Sequence, residues 1–162
     1  MRLNSLAFRL FATAVVSTML ILPVAGLLIY SVYRQEVEEG FNERLSQLLT
    51  IVHADAIDGA ESQPGTPGQV GEPLFFITHS GWYWQIKPLG GAPGEIKVSP
   101  SLATFILPSP YEAGVEPDLQ GTRWMDGLGP NDQRVRIAET IYAFGEGADA
   151  PQYSISVAGP LD

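Results

Sequence analysis

A chain of 162 residues, 45% hydrophobic and 10% aromatic, has room for one packed domain and a membrane segment but not for two full domains, and it is too apolar for wholesale disorder. It contains no cysteine, which removes disulfides, thiolate chemistry and cysteine-ligated metals together. The formal charge is −9, and beyond Tyr33 seven basic residues face all eighteen acids, a balance of −11 that argues against nucleic acid, whose phosphates call for Lys and Arg clusters, and leaves solubility or cation binding as readings.

Leu10 to Tyr33 holds no charged residue. Those 24 positions make a helix of about 36 Å, enough for a hydrocarbon core of about 30 Å. Pro23 and Gly26 lie inside the run and are tolerated in membrane helices. Arg2 and Arg9 precede it, while Glu36, Glu38 and Glu39 follow Arg34, so the positive-inside bias predicts a cytoplasmic tail at 1–9, a transmembrane helix at 10–33 and everything later outside the membrane. A cleaved signal peptide is the competing reading. Val24-Ala25-Gly26 fits its small-x-small site poorly, and Leu27-Leu28-Ile29-Tyr30 carries the apolar run past it.

The next segment, 34–58, is predicted as a continuing helix. Val37, Phe41, Leu45, Leu48 and Val52 form a heptad-like stripe, widened by Leu49 and Ile51, with Glu39, Glu43, Arg44 and Gln47 on the wet side. Packing on a sheet and service as a dimer stalk are both open for this stripe. Gly59 is a plausible stop, and 61–71 reads as an exposed Gly/Pro loop. Strands are then expected at Leu74–Thr78, at Trp82–Ile86 after a Ser80-Gly81 turn, at Glu95–Val98, at Gln133–Ala143 with a possible bulge, and at Tyr153–Ala158, half-buried with its serines outward. Ser101 to Leu107 reads as a short helix capped by Ser101 and stopped by Pro108. A long helix followed by about five antiparallel strands is an α+β pattern, and a PAS-like sensor sheet behind a membrane helix is the natural candidate.

Catalytic signatures are missing: the sequence holds no HExxH, no phosphate loop, no G-x-G-x-x-G and no G-x-S-x-G. No metal and no cofactor are expected. His53, with Asp55 off its face, reads as a structural or surface histidine. Binding is the better prospect, and its candidate residues are His79, Trp82, Tyr83, Trp84, Arg134 and Arg136. In one reading Trp82 and Trp84 fill the core while Tyr83 faces out; in the other an indole or Tyr83 lines a small-ligand pocket. Arg134 and Arg136 share a strand face, to clamp a carboxylate or to pair with surface acids. Glu112, Glu116 and Asp118 are the nearest approach to a cation site.

Ser80-Gly81-Trp82-Tyr83-Trp84-Gln85-Ile86, followed by Val98-Ser99-Pro100-Ser101-Leu102, resembles the extracytoplasmic sensor regions of proteobacterial two-component histidine kinases. Arg134-Val135-Arg136-Ile137-Ala138-Glu139 and Tyr153-Ser154-Ile155-Ser156-Val157-Ala158-Gly159 are similar to the late strands of that family. The resemblance implies a periplasmic sensor domain at 34–162 on a bacterial inner-membrane anchor, with 34–58 as a signalling helix and homodimer contact. It also implies that this chain is an N-terminal fragment. ATP, magnesium, the phospho-accepting histidine and the cognate response regulator would belong to a kinase core beyond Asp162, and the ligand or envelope signal stays unidentified. Sensor modules of a cyclase or chemoreceptor, or a stand-alone anchored periplasmic binding protein, are the alternatives.

Overall fold

The computed structural model describes residues 6–58, 60, 63–67, 72–145, 147 and 149–161, the side chains of 6, 7 and 32–37 excepted; Gly59, most of the 61–71 loop and the Val37 side chain lie outside the described set. The architecture is α+β. Helix α1 spans Leu6–Ile57, and strands β1 (Tyr83–Leu89), β2 (Lys97–Val98), β3 (Arg123–Leu128), β4 (Arg134–Ala143) and β5 (Gln152–Pro160) form one antiparallel sheet in the order β2-β1-β5-β4-β3. Two compact units divide the chain, Met1–Asn42 and Glu43–Asp162.

In the first unit, Phe8–Ser31 is the one segment among the described residues long and apolar enough to cross a membrane, with a mean hydropathy of 2.2. Its side chains have no protein cover; Leu20 and Ile29 stand out at 65% and 71% exposure. The hydroxyls of Thr13, Thr18 and Ser31 donate back to the carbonyls of Leu10, Ala14 and Leu28. These three hydroxyls are thereby satisfied within the helix, as a lipid surrounding would require.

In the second unit, the last turns of α1 bury Leu45, Leu48, Leu49, Val52 and Ala56. These side chains cover the sheet face formed by Trp84 and Ile86 of β1, Ala138 of β4, and Ile155 and Val157 of β5, all of them buried. Arg44 lies 4.5 Å above the Trp82 ring, and His53 meets the Tyr142 ring edge-on at 5.0 Å, so α1 crosses from the start of β1 to the end of β4. Ile51 departs from expectation. It is 46% exposed, because the five buried residues occupy an arc of about 100° and Ile51 falls roughly 60° beyond its edge.

A strap, residues 99–115, covers the opposite face. Leu102 and Leu107 join Tyr83, Val135, Ile137 and Ala158 in a closed core. The strap is stitched to β1 by serines: Ser99 exchanges hydrogen bonds with Trp84 (N to O 2.9 Å, Trp84 N to Oγ 3.2 Å), and Ser101 Oγ donates to Trp82 O at 2.7 Å. The expected helix at 101–107 is only a 3₁₀ turn at Pro100–Leu102, and Ser99, not Ser101, precedes it. Pro73–Phe76 is likewise a 3₁₀ turn where a strand was expected, since Pro73 at its first position fixes a helical φ. The strand at Glu95–Val98 shortens to Lys97–Val98, and β4 pairs in unbroken register with β5, leaving no bulge. β3 was not anticipated. Gly127 within it is closely packed: a Cβ there would sit 3.1 Å from Pro108 Cγ and 3.2 Å from Ile137 Cδ1, so these side chains would have to shift to admit one.

Facing of α1 yields the first test. Leu48→Ala is expected to lower the unfolding free energy of the full chain in detergent by about 2–5 kcal/mol, against about 0.5 kcal/mol or less for Gln47→Ala, measured by urea titration.

Candidate functional site

The six residues marked by the sequence do not converge on one site. Successive strand residues point to opposite faces, so Trp84 lies under α1 while Tyr83 lies under the strap. The expectation that Tyr83 faces out is overturned: it is fully buried, because the strap covers its side of the sheet. Its hydroxyl donates to Gln133 Oε1 at 2.9 Å and accepts from Gly81 N at 3.1 Å. Burial raises the phenol above its ordinary value, partly offset by the Gly81 N–H. Gly81 has φ +90°, and a Cβ there would come within 2.8 Å of Gln133 Nε2, so only glycine fits this turn. Trp82 is 7% exposed beneath the Arg44 guanidinium, which also pairs with Glu72 at 2.8 Å. The three aromatics are therefore core and layer contacts.

His79 is exposed in a left-handed turn (φ 58°), its Nδ1 3.3 Å from Asn131 Nδ2, itself left-handed at φ 57°. Arg134 is exposed on β4. Arg136 holds Asp126 of β3 with two bonds, Nε to Oδ1 at 2.7 Å and Nη2 to Oδ2 at 3.2 Å. Of the two readings of this arginine pair, pairing with a surface acid describes Arg136. Nor do the acids of the excursion gather: Glu112 pairs with Lys87 at 2.6 Å, and among the described residues no group of three His, Cys, Asp or Glu side chains could hold a metal ion.

Two features emerge that the sequence did not mark. The first is a buried polar row across the sheet. Gln85, Ser156 and Glu139 occupy consecutive register positions on β1, β5 and β4, and all are at most 1% exposed. Gln85 exchanges bonds with the Leu107 backbone (2.9 and 3.3 Å). The Glu139 carboxylate accepts from Ser109 Oγ at 2.7 Å, from Tyr111 N at 2.5 Å, and from the hydroxyls of Ser154 and Ser156. Next in the row, Arg123 donates from Nε to Val115 O at 3.0 Å and lies 5.2 Å from the Tyr111 ring. Every hydrogen-bond partner named on the strap is backbone or hydroxyl, which makes this row a brace.

The second is a cleft of about 270 Å³ on the α1 side, between the helix and the β3–β4 edge. Ser46, Leu49, Thr50 and His53 form one wall, and Gln120, Thr122 and Thr140 the other. The 118–124 loop is organised by Asp118, whose Oδ1 accepts from Gln120 N and Thr122 N, and whose Oδ2 accepts from Trp124 Nε1, each at 2.9 Å. Slight burial raises the Asp118 carboxyl, but the bonds from Trp124, Thr122, Gln120 and Gly121 outweigh it and hold the group below its ordinary value. His53, read from the sequence as structural or surface, is half-buried, and its Nε2 is closed off without a hydrogen-bond partner among the described residues. Burial lowers the imidazole below its ordinary value and so favours the neutral ring. A larger concavity, about 560 Å³, opens between the 89–93 turn and residues 149–152, but it is lined largely by Gly, Ala and Pro, and among the described residues Asp149 is its one charged side chain. Chemical variety favours the smaller cleft.

Comparison with known proteins adds no relative: no protein-family model, no curated protein and no solved structure matches this chain.

The Asp126–Arg136 pair gives a pH prediction. The hydrogen bond from Arg136 lowers the Asp126 carboxyl, burial opposes it, and the charges of Arg136 and Arg134 lower it further; the result lies below the ordinary 3.8. A depressed carboxyl contributes stability that is complete above its unfolded value and lost as pH falls through the folded one. The urea midpoint of the parent chain should therefore drop more steeply below pH about 4 than that of Asp126→Asn. Parallel slopes would contradict this assignment.

Proposed function

We propose that this chain is the signal-sensing module of a membrane-bound two-component sensor histidine kinase. Residues 10–33 hold it in a bacterial inner membrane, 1–9 lie in the cytoplasm, and 34–162 form a periplasmic, PAS-like sensor domain. One observation carries the reading: α1 contains both the apolar segment Phe8–Ser31 and the residues that cover one face of the sheet, Leu45 to Ala56. A change in packing on that face acts on the very helix that bears the span, which is what a receptor requires of its input end. Arg2 and Arg9 before the span and the acids after it support the orientation. The kinase output rests on the resemblance of the Ser80–Ile86, Val98–Leu102, Arg134–Glu139 and Tyr153–Gly159 segments to sensor regions of that family. A homodimer through 34–58 and a response regulator acting on the kinase core belong to the same proposal.

The absence of cysteine makes the test direct. Leu119, fully exposed, is replaced by cysteine and intact cells are treated with a membrane-impermeant maleimide. Labelling before lysis is expected, whereas labelling only after lysis overturns the periplasmic assignment. The coding sequence following Asp162 tests the output: a second apolar segment leading to a His-Glu/Asp-x-x-x-Pro helix is expected, and a stop codon there removes the kinase.

A further inference from the structure

The cleft beside His53 is lined for binding, and most of its polar side chains have no protein partner among the described residues. The side chains of Ser46, Gln120, Thr122 and Thr140 make no hydrogen bond to other protein groups among the described residues. Thr50 Oγ1 donates to Ser46 O at 2.9 Å and keeps its lone pairs for an acceptor role. His53 Nε2 is buried without a partner, an arrangement that costs folding free energy and has to be explained by something other than stability. Leu49 supplies an apolar floor, and Asp118 fixes the far wall through the backbone of Gln120 and Thr122.

Lining chemistry then selects the ligand. Among the described residues no Lys, Arg, Asp or Glu faces the cleft, so a charged ligand would give up its hydration without gaining a counter-charge. Hydroxyls, one carboxamide and one imidazole offer both donors and acceptors at several points around a small volume. At about 270 Å³ the space lies just under the range of about 300–1,000 Å³ usual for drug-sized ligands. We propose that this cleft is a binding site for a small uncharged polyhydroxyl compound, of monosaccharide or polyol class, whose hydroxyl supplies the missing partner of His53 Nε2. Because Nε2 is closed off from the cleft, binding turns the imidazole out of its edge-on contact with Tyr142. Occupancy is thus felt on α1 and on β4 together. The site deepens the sensor reading, and rests on it for the consequence of occupancy but not for binding.

The test uses the full chain in lipid nanodiscs, titrated calorimetrically with glycerol, erythritol, inositol, ribose, glucose and galactose, and with aspartate, citrate and choline as charged probes. Imidazole nitrogen NMR is recorded in parallel. Saturable binding of at least one neutral probe is expected, with a shift of the His53 Nε2 resonance. Thr122→Val and Thr140→Val, which keep side-chain shape, should each weaken it about tenfold, the loss of one hydrogen bond, at an unchanged melting temperature. Three results would each overturn the site: no neutral probe saturates, the variants bind as the parent does, or a charged probe moves the His53 resonance instead. A cytosolic Leu119→Cys result would remove the receptor reading and leave this binding measurement standing.

Discussion

One constraint organises the second unit: a sheet that places glutamine, serine and glutamate in its interior has to bring their hydrogen-bond partners with it. Gln85, Ser156 and Glu139 lie side by side across β1, β5 and β4 with almost no access to water. A buried carboxylate without partners is among the most unfavourable groups a fold can contain. The strap answers that demand at fixed points, Leu107 for Gln85 and Ser109 with Tyr111 for Glu139. An otherwise irregular segment is thereby held at one height above the sheet. That placement puts Leu102 and Leu107 over Tyr83, Ile137 and Ala158, closing the apolar core alongside the polar row.

With that face sealed, β5 is covered on both sides and the opposite face is free to carry a different layer. That layer is the end of α1. The two faces have different chemistry: the strap side is locked by directional bonds, the helix side by apolar contact around Leu45, Leu48, Leu49 and Val52 with a polar cleft at its margin. Apolar contact is non-directional and admits alternative arrangements more readily than a network of buried hydrogen bonds. The helix side is therefore the more adaptable layer, and the strap side is the more rigid frame against which it packs.

How much of this is legible in the sequence follows from the kind of interaction involved. Local periodicity gave α1, β4 and β5, and the class α+β, since those signals lie within a few residues of one another. Composition misled at Leu74–Thr78, where β-rich side chains report burial of Phe75 but Pro73 dictates the backbone. It also missed β3, whose Arg123, Asp126 and Gly127 look unlike a strand until β4 pairs with them. Ser154 and Ser156 read as outward-facing because their cover comes from the 99–115 strap, 39 to 57 positions earlier in the chain. The same distance hid both new sites. Glu139 meets Ser109 across 30 residues, and the His53 cleft joins residues 46–53 to 120–140. No motif marks either, only pairing in space.

The central claim is that the 99–115 strap is bonded to the buried polar row and is not a loose loop, and amide hydrogen exchange of the full chain in nanodiscs tests it most directly. The Tyr111 N–H has no strand neighbour, and its acceptor is the Glu139 carboxylate. The account predicts that it exchanges as slowly as the Ile155 and Val157 amides of β5. Exchange of Tyr111 at the rate of an unprotected loop, with β5 still protected, would contradict it.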